Sequence, residues 1–96
     1  IGFVYYSRGG YEDALKNHRK ALEIRLQRLG ENHPHVATSY NNIGLVYDDL
    51  EEYEKALDNH QKALKILLQL LGENHPHVAA SYTNIGLVYA DLEEYK

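Results

Sequence analysis

The chain of 96 residues has no cysteine. It therefore has no disulfide framework and no thiolate chemistry, which fits an intracellular, cytoplasmic protein. Positive charge is in short supply as well: 10 Lys and Arg stand against 14 Asp and Glu, a net charge of −4. Nucleic-acid binding draws on a basic stripe that this balance does not supply. No apolar run approaches the roughly 18 residues of a membrane span, and no secretory signal opens the chain, so no membrane partner is expected. The first residue is not methionine but Ile1, followed by Gly2. That opening reads as a fragment cut from something longer.

What the chain has in abundance is repetition. Ile1-Gly2-Phe3-Val4-Tyr5 returns as Ile43-Gly44-Leu45-Val46-Tyr47 and as Ile85-Gly86-Leu87-Val88-Tyr89, a spacing of 42 residues. Leu29-Gly30-Glu31-Asn32-His33-Pro34-His35-Val36-Ala37 returns at Leu71–Ala79, and residues 1–42 match 43–84 at 28 of 42 positions without a gap. A fixed period in this range marks a solenoid, in which one small helical unit stacks on copies of itself. The core of such a chain forms between neighbouring units. Two and a fraction units make one domain, near the lower limit for independent stability.

Two apolar periodicities alternate within each unit. Val36, Ala37, Tyr40, Ile43, Gly44, Tyr47 and Leu50 follow spacings of three and four, one face of a helix over about 34–50 (helix A). Pro34 suits its first turn, where the missing N–H has no intrahelical partner anyway. Tyr53, Ala56, Leu57, His60, Ala63, Leu64, Leu67, Leu68 and Leu71 mark a second helix over about 53–71 (helix B), which Gly72 stops. The same pattern predicts a partial helix A at 1–8, a helix B at 11–29 and a last helix A at 76–94. The fold class is all-α, with a partial repeat at 1–29, a full repeat at 34–71 and a partial repeat at 76–96. The loops are short enough to make the helices antiparallel neighbours.

These offsets resemble those of the tetratricopeptide repeat (TPR), whose pattern runs Trp, Leu-Gly, Tyr, Ala, Phe, Pro. Tyr40 and Tyr82 stand in the tryptophan slot, Ile43-Gly44 and Ile85-Gly86 in the Leu-Gly slot, and Tyr47 and Tyr89 in the tyrosine slot. Ala14 and Ala56 take the first alanine, His18 and His60 the phenylalanine, and Ala21 and Ala63 a second alanine. The longer period, with the additional residues in helix B and its loop, resembles the kinesin light chain type. The resemblance implies a superhelix fragment, an α-solenoid, acting as a protein-interaction scaffold.

One departure concerns the turn between helices A and B, where the family usually carries Gly or Asn in a left-handed conformation. Gly9-Gly10 supplies it in the first copy. The later copies read Leu50-Glu51-Glu52-Tyr53 and Leu92-Glu93-Glu94-Tyr95. Glutamate is a good helix former and a poor left-handed residue, at a cost of roughly 1 kcal/mol or more against glycine. Local sequence thus favours fusing helices A and B into one, whereas tertiary packing favours the hairpin.

The resemblance also implies a site, since the inner face of helix A in this family binds an extended peptide. The matching positions are Thr38, Asn41, Asn42, Leu45, Asp48 and Asp49, then Ala80, Thr83, Asn84, Leu87, Ala90 and Asp91. An asparagine amide both donates to and accepts from a peptide backbone, which puts Asn42 and Asn84 foremost. Bracing of neighbouring helices is their structural alternative. The groove has no Lys or Arg to clamp a C-terminal carboxylate, and its acids favour a neutral or basic partner.

His33-Pro34-His35 and His75-Pro76-His77 offer too few convergent ligands for zinc and read as loop residues that help start helix A. His18 and His60, in an apolar stripe, read as inter-helix hydrogen bonders. Tyr5, Tyr40, Tyr47, Tyr82 and Tyr89 read as core packing. No nucleophile–base pair, phosphate-binding glycine loop or carboxylate dyad is present, so neither an enzyme nor a cofactor is expected.

Charge is uneven along the chain. Residues 1–42 carry six basic and four acidic side chains, residues 43–96 four and ten. Apolar ends of complementary charge suggest a second role, a homo-oligomer built head to tail or by swapping helices.

Overall fold

The computed structural model describes residues 8–95. They form four α-helices, α1 (Arg8–Leu29), α2 (Pro34–Asp49), α3 (Tyr53–Leu71) and α4 (Pro76–Tyr95). Each packs against the next, and α2 also touches α4 across the stack. No strand occurs among the described residues. This is an all-α solenoid of helical repeats; the partial helix A expected at 1–8 lies outside the described residues, apart from Arg8.

Both His-Pro-His segments are helix starts. The His33 side chain caps α2, its Nδ1 accepting from the His35 N–H at 3.0 Å, with Pro34 opening the first turn. His75 Nδ1 accepts from the His77 N–H at the same 3.0 Å. The paired rings stack, with centroids 5.0 and 4.9 Å apart. A ring nitrogen that satisfies one of a helix's orphan N–H groups stabilises the start much as Ser or Asp would. At the far ends of α1 and α3, Gly30 (φ +82°) and Gly72 (φ +83°) take the left-handed conformation that ends a helix.

The turn between α2 and α3 closes, so the two helices form a hairpin and are not fused. Glu51 adopts φ +63°, the left-handed state that its side chain disfavours. The Glu51 N–H donates to Asp48 O and the Glu52 N–H to Tyr47 O, both at 2.9 Å. These are the paired bonds of a Schellman cap, with glutamate where glycine is usual. Packing of α3 on α2 overrides the local preference.

Elsewhere that preference shows. In α4 the equivalent Leu92-Glu93-Glu94-Tyr95 remains helical, and among the described residues no helix B follows to enforce a turn. Gly9-Gly10, expected to form the first turn, instead lies inside α1, neither glycine having a positive φ. Glycine permits the left-handed state without requiring it, and helical φ is equally open to it.

Two apolar clusters hold the stack. Leu15, Ile43, Val46, Tyr47, Leu50, Ala56 and Val88 fill the end near the α2–α3 turn. Val36, Ala37, Ala63, Ile66, Leu67 and Val78 fill the other, with Leu22 packed against both. Tyr47 is 7 % exposed, flanked by Arg19 and Lys55 over its ring. Its counterpart Tyr89 is 53 % exposed and Tyr82 56 %. The core role expected of those two tyrosines fails because no described helix covers that side of α4. Tyr5 lies outside the described residues.

Candidate functional site

Contact between α2 and α4 places their shared face at the centre of the stack. At its N-terminal end, Pro34, Ala37, Thr38 and Asn41 of α2 and His77 and Ala80 of α4 surround a cavity of about 130 Å³, with Leu67 of α3 among its walls. The Thr38 hydroxyl donates to Pro34 O at 3.1 Å, and Thr83 makes the same bond to Ala79 O. Asn41 Oδ1 lies 2.9 Å from Nδ1 of His60, which reaches it from α3. Sequence reading placed His60 between helices but missed that it holds a groove residue.

Halfway along, Leu45 and Leu87 are both exposed. Asn42 and Asn84 are half-buried, and among the described residues no hydrogen bond engages their side chains. The donors and acceptors of these two amides are thus not used by any other described residue. None of these four residues lines the cavity beside Thr38 and Asn41.

Acid gathers at the C-terminal end. Asp48 is half-buried with its Oδ1 enclosed and unpartnered. Burial, hydrogen bonding with Asp91, and repulsion by Asp91 and Asp49 push its pKa up to about 7. Asp49 is raised too, by partial burial and then by Asp91. Asp91 also lines an open cleft of about 240 Å³ with Glu51, Tyr53 and Glu94. Glu51 and Tyr53 were not singled out for this face because the Glu51 turn that brings them there runs against local propensity.

Chemically, this face offers amides and hydroxyls at one end, apolar surface in the middle and carboxylates at the other. Among the described residues no three His, Cys, Asp or Glu side chains converge to hold a metal ion, and no helix is long and apolar enough to cross a membrane.

A family model, tetratricopeptide repeat, matches residues 1–69 and 49–96, which together span the chain. The chain belongs to the tetratricopeptide repeat family. Comparison with curated proteins found no match. TPR units are in general protein–protein interaction modules and not enzymes, so the expected partner of this chain is a protein.

The TPR register accounts for the small residue at Gly44. A Cβ there would come within 2.8 Å of the His60 ring. At the matching Gly86 of α4 a Cβ would meet nothing within 4 Å. The same glycine is thus tightly packed in one TPR copy and open in the next.

Proposed function

We propose that this TPR chain is a scaffold whose α2–α4 face takes an extended peptide segment of a partner protein. The segment carries at least one Lys or Arg. The contact residues are Thr38, Asn41, Asn42, Leu45, Asp48 and Asp49 on α2 with Thr83, Asn84, Leu87 and Asp91 on α4. The observation that carries this reading is the carboxylate group of Asp48, Asp49 and Asp91, crowded enough to hold a proton on Asp48 near neutral pH. A cation arriving there replaces that proton and relieves the repulsion. The 42-residue period further supports a kinesin light chain-like array.

Calorimetry with a short capped peptide alternating alanine and lysine tests it. At pH 7 binding should release protons, read as a dependence of the heat on buffer ionisation. Asp48→Asn should bind without that release. Replacing Asn42 and Asn84 together by alanine should weaken binding by roughly 1–3 kcal/mol with little change in melting temperature. Binding of a glutamate peptide in preference to the lysine one would sink the reading.

Self-association is the second reading, and one contrast motivates it. Ile24 of α1 is exposed where its counterpart Ile66 of α3 is buried, and Tyr89 of α4 is exposed where Tyr47 is buried. Helix α4 of one copy thus presents the surface that α3 covers on α2, and α1 of another copy carries the matching residues. Concentration-dependent light scattering tests it, and a monomer at high micromolar concentration rejects it.

A further inference from the structure

His60 is fully buried, at 0 % exposure, yet only one of its ring nitrogens has a partner. Nδ1 lies 2.9 Å from Asn41 Oδ1, while Nε2 has none. Two tautomers are open to a neutral ring. With the proton on Nδ1, the ring donates to Asn41 Oδ1 and Nε2 is a bare acceptor. With the proton on Nε2, a buried N–H is left without an acceptor, and the Asn41 amide must turn over to donate to Nδ1. Buried orphan N–H groups are the rarer and costlier defect.

Gly44 closes one face of the ring. The position of its missing Cβ lies 2.8 Å from both Nε2 and Cε1 and 3.0 Å from Cδ2, so the glycine C–H meets the ring face and leaves the in-plane Nε2 position untouched. The choice of tautomer thus rests on the unpartnered Nε2 and the Asn41 contact. The ring therefore donates from Nδ1. Asn41 Oδ1 is consumed, and its N–H2 is the half of the amide left for the cavity beside Thr38 and Ala80. The Thr38 hydroxyl spends its hydrogen on Pro34 O, so its oxygen offers only lone pairs outward.

We infer that His60 is a positioning residue. It fixes the Asn41 amide as a donor beside Thr38 as an acceptor, and this pair receives the C=O and N–H of one main-chain unit of an extended peptide. The inference rests on the groove reading above and adds which atoms of the partner dock there. Because main-chain groups are read, this end of the groove tolerates any side chain, and selection falls to the acids at the other end.

The free chain tests the first half. A long-range proton–nitrogen NMR spectrum should find the His60 proton on Nδ1; a proton on Nε2 overturns the inference without any substitution. The second half uses the capped alanine–lysine peptide. His60→Phe fills the same space without a donor and should bind it about 5-fold more weakly, with the fold intact. His60→Gln, whose amide can donate to Asn41 Oδ1, should recover most of the affinity. His60→Phe binding as tightly as the parent would make His60 a packing residue only and overturn the inference. A parent chain that binds no such peptide overturns the groove reading and the main-chain docking with it, whatever the tautomer.

Discussion

Acid acts on this fold with opposite sign at His60 and at Asp48. His60 is buried, which lowers its pKa below the ordinary 6.5. The unfolded chain therefore takes up a proton at this residue that the folded chain refuses. Its contribution to stability is complete above about pH 6.5 and is lost as pH falls. Asp48 runs the other way, its pKa raised from 3.8 to about 7. Here the folded chain holds the additional proton, so the contribution is complete below pH 3.8 and is lost as pH rises to about 7. Two variants separate them in urea melts across pH. His60→Phe should lose less stability than the parent between pH 7 and 5. Asp48→Asn should gain stability over the parent at pH 8 and show no gain at pH 4. A parallel shift of either variant at every pH would mean that the residue does not titrate with folding.

Leu-Glu-Glu-Tyr ends α2 at 50–53 and continues α4 at 92–95. One sequence in two conformations separates what is local from what is not. Helix starts were readable because a proline and a histidine act within one turn, and the stops at Gly30 and Gly72 because glycine alone takes their φ cheaply. The stripe from Val36 to Leu50 was readable because burial follows helical spacing. Gly9-Gly10 misled because permissiveness is not instruction. Glu51 could not be assigned because its cost is local while the gain that offsets it comes from packing α3 on α2. His60 was visible as a polar member of an apolar stripe, but its bond to Asn41 crosses between helices and leaves no spacing to read. Restoring the family's residue should relieve the strain: Glu51→Gly is expected to stabilise by about 1 kcal/mol, raising the melting temperature by roughly 4–8 °C. An unchanged or lower melting temperature would show that Glu51 is unstrained in its left-handed conformation.

At the scale of the whole molecule, each repeat depends on its neighbour for a surface to bury, and two glycines measure that dependence. Gly44 faces His60 across the α2–α3 contact, where a Cβ would come within 2.8 Å of the ring. The ring is pinned by Asn41 and by close packing, so it cannot retreat cheaply. Gly44→Leu forces the helices apart at a cost of about 1–3 kcal/mol or more, a large share of what a small array has. Gly86 holds the same place in α4 with open space around it. A Cβ there meets nothing, and leucine is the better helix former, by up to about 1 kcal/mol. Thermal melts of the two variants should therefore diverge, Gly44→Leu unfolding well below the parent and Gly86→Leu melting at or above it. Self-association adds a second reading to the same pair. If α1 of another copy covers α4, its His18 meets Gly86 as His60 meets Gly44, and Gly86→Leu should abolish concentration-dependent scattering while leaving the melt of the monomer intact. Equal destabilisation by both substitutions would mean that α4 is covered in the isolated chain by contacts other than those described.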